Sequence, residues 1–175
     1  MKVLVTGATG FVGAALVRRL AAEPAPHGVV AAVRGKKDLW PETVNQVQVG
    51  DLLSTTDWST ALHGVDAVVH CAARVHVMRD DVTDPLQAYR EVNVSGTASL
   101  ARQAAAMGVR RFVFISSIKV NGETTAPGRP FTADDTPAPE DAYGQSKAEA
   151  EAQLIQVAQE TGMEVTIIRP PLIYG

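Results

Sequence analysis

The sequence predicts an α/β domain, a parallel sheet doubly wound with helices on both faces. Three observations carry that expectation. Six short apolar runs alternate along the chain with stretches of helical periodicity. Several of these runs are continuously apolar, which is the pattern of strands covered on both faces. The first run, Val3 to Val5, passes straight into Thr6-Gly7-Ala8-Thr9-Gly10-Phe11-Val12-Gly13, a glycine turn opening onto a helix.

In chain order, Ala14 to Leu20 alternates apolar and basic residues as a surface helix does, and Glu23-Pro24-Ala25-Pro26 stops it. Gly28 to Val33 reads as a second strand ending at Arg34-Gly35, and residues 36–45 read as loop. Val47 to Val49 forms a short third strand running into Gly50-Asp51-Leu52, after which Ser54 or Thr55 caps a helix through Leu62. Asp66 to Ala73 is a fourth strand with small residues at its exit. Pro85 to Met107 reads as one long helix, with Leu86, Tyr89, Thr97, Leu100, Ala104 and Met107 at helical spacing and Gly108 at its end. Arg111 to Ser116 is a fifth strand. Residues 121–141, with Pro127, Pro130, Pro137 and Pro139, form a loop across the strand ends. Ala142 to Thr161 is a second long helix ended by Gly162, and Glu164 to Arg169 is a sixth strand broken by Pro170-Pro171.

Length and composition bound the function classes. At 175 residues the chain makes one domain, residues 1–175. A net charge of -3 gives no electrostatic case for nucleic acid, and no apolar run approaches a membrane span. Cys71 is the single cysteine, so no internal disulfide forms, and no Cys/His spacing suits a metal. With no signal-peptide pattern after Met1-Lys2, the expected compartment is the cytoplasm.

Ligands of such sheets bind at the carboxyl ends of the strands, where this sequence puts Gly7, Arg34, Asp51, Ala72-Ala73, Ser116-Ser117 and Pro170. The Gly7-x-x-Gly10-x-x-Gly13 spacing suits a sharp turn that lets a pyrophosphate approach the amide end of a helix, although an ordinary strand–helix turn shares it. Arg34, about 20 residues beyond the glycine turn, stands where an acid would bind the ribose hydroxyls of NAD. With no acid there, and with Lys36 and Lys37 following, the expected cofactor is NADP, with NAD the alternative. Tyr143 and Lys147 lie one helical turn apart, so the ammonium is expected to lower the phenol pKa; a solvated pair on an amphipathic helix has the same spacing.

These motifs together resemble the extended short-chain dehydrogenase/reductase superfamily, the NAD(P)-dependent nucleotide-sugar epimerases, dehydratases and reductases. The resemblance rests on Thr6 to Gly13, Asp51-Leu52, His70 to Ala73, Asn93, Ser116-Ser117 to Gly122, Tyr143 to Lys147, and Arg169 to Gly175. It implies an NAD(P)-binding Rossmann fold with strand order 3-2-1-4-5-6. It also implies that Gly7, Thr9, Gly10, Phe11, Val12 and Gly13 hold the pyrophosphate, that Asp51 and Leu52 meet the adenine, and that Cys71, Ala72, Ala73 and Asn93 line the cofactor channel. Tyr143 becomes the general acid or base, Lys147 binds the nicotinamide ribose, Ser117 hydrogen-bonds the reacting oxygen, and Pro170 lies beside the nicotinamide.

Sugar dehydratases of this kind carry an Asp-Glu pair directly after the catalytic serine or threonine, where this chain has Ile118-Lys119. The run from Ile118 to Glu123 looks most like bacterial reductases of UDP-4-keto-6-deoxy-N-acetylhexosamines in surface-polysaccharide synthesis, with Arg74, His76, Lys119 and Ser117 toward the sugar. Three alternatives stand beside it: a UDP-hexose 4-epimerase, a 3β-hydroxysteroid or flavonoid type reductase, and a non-enzymatic dinucleotide sensor. The resemblance further implies a homodimer through helices 85–107 and 142–161, and a C-terminal substrate lobe beyond Gly175.

Overall fold

A computed structural model describes residues 1–23, 28–35, 37–75 and 84–174. Six parallel strands make one sheet in the order β3-β2-β1-β4-β5-β6. They are β1 (Lys2–Thr6), β2 (Gly28–Val33), β3 (Val44–Gln48), β4 (Ala67–His70), β5 (Arg111–Ile115) and β6 (Glu164–Ile168). The helices are α1 (Phe11–Ala21), α2 (Ser59–Leu62), α3 (Pro85–Tyr89), α4 (Thr97–Ala106) and α5 (Ala142–Thr161). The order reverses direction between β1 and β4, whose carboxyl ends therefore splay around a crevice.

Because side chains alternate along a strand, each central strand feeds two cores. Val3 and Val5 of β1 pack with Val29, Ala31, Val33 and Val17 of α1 on one face. Leu4, Val30, Val68, Phe112 and Phe114 pack on the other with Leu100 and Ala104 of α4 and Leu154 and Val157 of α5. This two-sided burial explains why β1 and β2 read as unbroken apolar runs. Among the described residues no helix is long and apolar enough to cross a membrane.

Four elements depart from the sequence expectation. The fourth strand ends at His70, three residues short of Ala73, where Ala72 N–H bonds the Thr6 hydroxyl (3.2 Å) instead of a strand carbonyl. The expected helix from Ser54 or Thr55 shrinks to Ser59–Leu62, because the Thr56 hydroxyl accepts from Leu53 N–H (3.0 Å) and donates to the Asp51 carbonyl (2.6 Å), holding a turn instead. The third strand begins three residues earlier than expected, at Val44, whose apolar side chain is buried against the α1 face. The single helix expected over Pro85 to Met107 is interrupted by a wide π turn, Arg90–Gly96. Asp84 caps its start through Gln87 N–H (3.0 Å), and Gly108, at φ 81°, follows its end. The second long helix matches the expected bounds, capped by Asp141 at Gly144 N–H (2.6 Å) and ended by Gly162 at φ 75°.

Candidate active site

The carboxyl ends of β1 to β4 enclose a cleft of about 780 Å³. At its floor Gly7 turns with φ 61°, and a Cβ there would lie 2.7 Å from Ala72 N. A Cβ on Gly13 would collide with the Gly7 carbonyl. Glycine at both positions lets β1, β4 and α1 converge. No side chain caps α1 and its first turn holds no acid, so its amide end faces the cleft as a site for anionic oxygen. The donor set and the space fit a dinucleotide pyrophosphate.

Of the expected cofactor residues, Gly7, Thr9, Gly10, Phe11, Val12, Gly13, Arg34, Asp51, Leu52, Cys71, Ala72 and Ala73 all line this cleft, with Arg74 beside them. Arg34 and Asp51 stand 3.8 Å apart at its outer end, their side chains 83% and 71% exposed. Lys36 and His76 lie outside the described residues. Asn93 is buried behind the edge of the cleft rather than among the residues that line it. Its carbonyl accepts from Arg74 N–H (2.8 Å), and its amide donates to the Arg74 carbonyl (3.0 Å) and Ser146 Oγ (3.0 Å). The widened turn at Arg90–Gly96 presents Asn93 as a clamp on the Ala72 to Arg74 edge of the cleft.

Thr6 and His70 also hold that edge: His70 packs at the strand end, and the hydrogen-bonded relay it makes with Thr6 is what the sequence did not disclose. Thr6 Oγ1 accepts from Ala72 N–H (3.2 Å) and meets His70 Nδ1 at 2.6 Å, while His70 Nε2 meets Thr97 Oγ1 at 3.0 Å. Burial, with Lys147 nearby, pushes His70 down to about 3, so the imidazole is neutral and shares its hydrogen bonds between the two threonines. Read by type, a lone histidine at a strand end gives no sign of this; two threonines at matching strand and helix ends are the only trace.

The segments that carry Ser117 and Pro170 meet beyond β5 and β6, and the first turn of α5, which carries Tyr143, packs on them: a Cβ on Gly144 would lie 2.8 Å from the Lys119 carbonyl oxygen. Ile118 N–H donates to the Pro170 carbonyl (3.0 Å), tying the segment after β6 to the serine turn, and Ser117 Oγ accepts from Lys119 N–H (3.2 Å). Tyr143 is half-buried, with its ring edge-on to Tyr89 at 6.0 Å. The Arg74 guanidinium lies 5.9 Å from the centre of the Tyr89 ring, so Tyr89 joins the cleft to Tyr143.

The electrostatics differ from expectation. The Tyr143 phenol is held above its ordinary value by burial, then by Asp141 and Tyr89, and the opposing cation is Lys119. Lys147 turns inward instead: its Nζ donates to the Ile115 carbonyl (2.8 Å) and lies 3.9 Å from the Phe114 ring centre. Burial lowers it to about 7, against the pull of Glu151 and Cys71. Lys119 is itself paired with Asp141 (2.7 Å) and Glu123 (2.8 Å), which keep it charged. Burial raises the Cys71 thiol to about 11, so it lines the cleft as an inert small side chain.

The family model described as NAD dependent epimerase/dehydratase matches residues 3–175. A UDP-glucose 4-epimerase from Vibrio cholerae is 50% identical over 178 residues, covering 99% of this chain and 52% of its own. A 3-beta-hydroxysteroid dehydrogenase from Mycolicibacterium neoaurum is 33% identical over 99% of this chain and 48% of its own. A crystal structure of UDP-glucuronic acid 4-epimerase from Bacillus cereus in complex with NAD superposes with a TM-score of 0.84 at 25% identity, over 100% of this chain and 58% of that one. The chain thus spans about half the length of the curated relatives it matches.

Proposed function

The chain belongs to the NAD dependent epimerase/dehydratase family, and from that premise we propose that its cleft holds a nicotinamide dinucleotide while Tyr143 moves a proton at the C4 oxygen of a nucleotide sugar. The observation that carries this reading is the continuity of the site. A glycine-floored cleft with a helix amide end runs along the Ala72 to Arg74 edge, and Arg74 meets Tyr143 through one shared aromatic neighbour, Tyr89.

Gly7 to Gly13 would hold the pyrophosphate, with Asp51 and Leu52 toward the adenine, and Lys147 would reach the nicotinamide ribose by turning its ammonium out from the Ile115 carbonyl. Such a dinucleotide, when bound, supplies or accepts the hydride at the sugar carbon. The phenol of Tyr143, raised by burial, is protonated at neutral pH, so it rests as a proton donor to a C4 carbonyl, the form a reduction uses; oxidation of a C4 hydroxyl, the first half of an epimerisation, needs the phenolate to accept the proton. Ser117 hydrogen-bonds the same oxygen and fixes its orientation. Lys119, fixed by Asp141 and Glu123, offers a permanent positive charge on the sugar side.

Epimerisation of a UDP-hexose at C4 is the first reading, supported by the 50% identity to a UDP-glucose 4-epimerase over nearly the whole chain. Reduction of a UDP-4-keto-6-deoxy-N-acetylhexosamine is the second, and Arg34 supports it. A basic residue with no acid at the end of β2 favours NADP, the dinucleotide a net reduction consumes. The two differ in stoichiometry. The intact protein incubated with UDP-glucose and NAD forms the C4 epimer with no net oxidation if the first holds. With the 4-keto sugar and NADPH it oxidises an equivalent of NADPH per product if the second does. Absence of both products overturns the substrate class. For the cofactor, Arg34→Ala is expected to weaken NADPH binding roughly 10- to 100-fold while leaving NADH little changed; equal losses for both would count against NADP.

A further inference from the structure

Lys147 and Glu151 are consecutive turns of one helix face, yet both are buried, at 1% and 3% exposure. Two ionisable side chains in a core are costly, and a buried ion pair gains little stability over apolar side chains of similar volume. Glu151 is nonetheless fully engaged. One carboxylate oxygen accepts from Ser116 Oγ (2.5 Å) and Arg169 Nε (3.0 Å), and the other from Arg169 Nη2 (2.6 Å). Arg169 continues outward, donating to Asn121 Oδ1 (3.1 Å), and Asn121 donates to the Thr132 carbonyl (3.2 Å). A single carboxylate therefore ties α5 to the end of β5, to the residue just before Pro170, and to the loop after Val120.

We propose that Glu151 is a positioning residue of the active site: one turn along the buried face of α5 from Lys147 it stands as the counter-charge to that side chain, and its bonds to Ser116 and Arg169 seat the turn that carries Ser117. The proposal rests on the roles assigned above to Lys147 and Ser117. Four ionisable groups bear on Lys147. Glu151 on its own helix and Cys71 at the end of β4 favour its charge; His70 of β4 is neutral; and Arg169 acts by neutralising part of Glu151. Cys71 stays protonated well above neutral pH, so Glu151 is the one full negative charge among them. With Lys147 poised at about 7, the charge of Glu151 decides whether the ammonium persists at physiological pH.

The test is the titration of Lys147 in the intact protein, followed by NMR of lysine labelled at Cε and assigned with Lys147→Arg. Glu151→Gln is expected to lower the midpoint by roughly one unit, about a tenfold loss of proton affinity. Glu151→Asp is expected to restore most of it. Glu151→Gln strips the buried carboxylate from Arg169 and can unfold the chain, so Glu151→Gln/Arg169→Met removes both charges together and must still show a fall, smaller than that of Glu151→Gln by the repulsion that the Arg169 charge would have added. The affinity for NADH as a function of pH supplies the second readout, its alkaline limb moving down with the midpoint. An unchanged Lys147 midpoint in a folded variant overturns the proposal. Failure of the wild-type protein to bind NADH at any pH would overturn the cofactor reading instead, with the Lys147 midpoint still deciding the role of Glu151.

Discussion

Gly13 has no space for a side chain, because any Cβ meets the carbonyl of Gly7, itself locked at a positive φ against Ala72. Gly13→Ala is therefore expected to push α1 off the turn and weaken NADH binding by at least about tenfold in equilibrium titration; unchanged affinity would mean that the turn does not hold the pyrophosphate. Lys119 is the cation that pulls Tyr143 down, and its removal leaves Asp141 and Tyr89 unopposed. In Lys119→Gln the phenolate absorbance should appear at higher pH than in the wild type, and a shift to lower pH would contradict the assignment. Much of this was legible by residue type and place, since glycine at a strand–helix turn has few other uses. The charge on Lys147 was not legible, because the i, i+4 spacing with Tyr143 says nothing of the Ile115 carbonyl that draws the ammonium inward.

The elements divide along the same line. β2 and α5 were legible to the residue because local signals agree: an unbroken apolar run in one, Asp141 and Gly162 at the ends of the other. The wide turn at Arg90–Gly96 was not, since apolar spacing runs on through it, and what opens the helix there is the long-range clamp of Asn93 on Arg74 and Ser146. Gly96 adds to it by its close approach to Leu52, where a Cβ would lie 2.9 Å from the Leu52 carbonyl oxygen. Asn93→Ala strips three hydrogen bonds from this junction and is expected to cost about 1–3 kcal/mol in urea unfolding. Neutral stability would show that the junction is held by packing alone.

For the molecule as a whole, the strand order 3-2-1-4-5-6 brings residues from every part of the chain to one sheet edge, and the buried groups beneath that edge set its response to pH. His70 is held near 3 in the folded state against 6.5 ordinarily, so the unfolded chain binds the extra proton between those values. Stability from this group is complete above about 6.5 and lost as pH falls toward 3, with a limiting slope of about 1.4 kcal/mol per pH unit. His70→Gln should unfold over the same range with a shallower pH dependence, measured by chemical denaturation at successive pH values; parallel curves would contradict a buried neutral imidazole. The proposed function assigns to Tyr143 the proton transfer at the sugar oxygen beside a bound dinucleotide. Its most direct test is turnover of UDP-glucose, or of the 4-keto sugar, by the intact protein and by Tyr143→Phe with NADH affinity measured in parallel. The expected result is a fall in kcat of roughly 10²- to 10⁴-fold with binding retained, and near-normal turnover in the variant would contradict it.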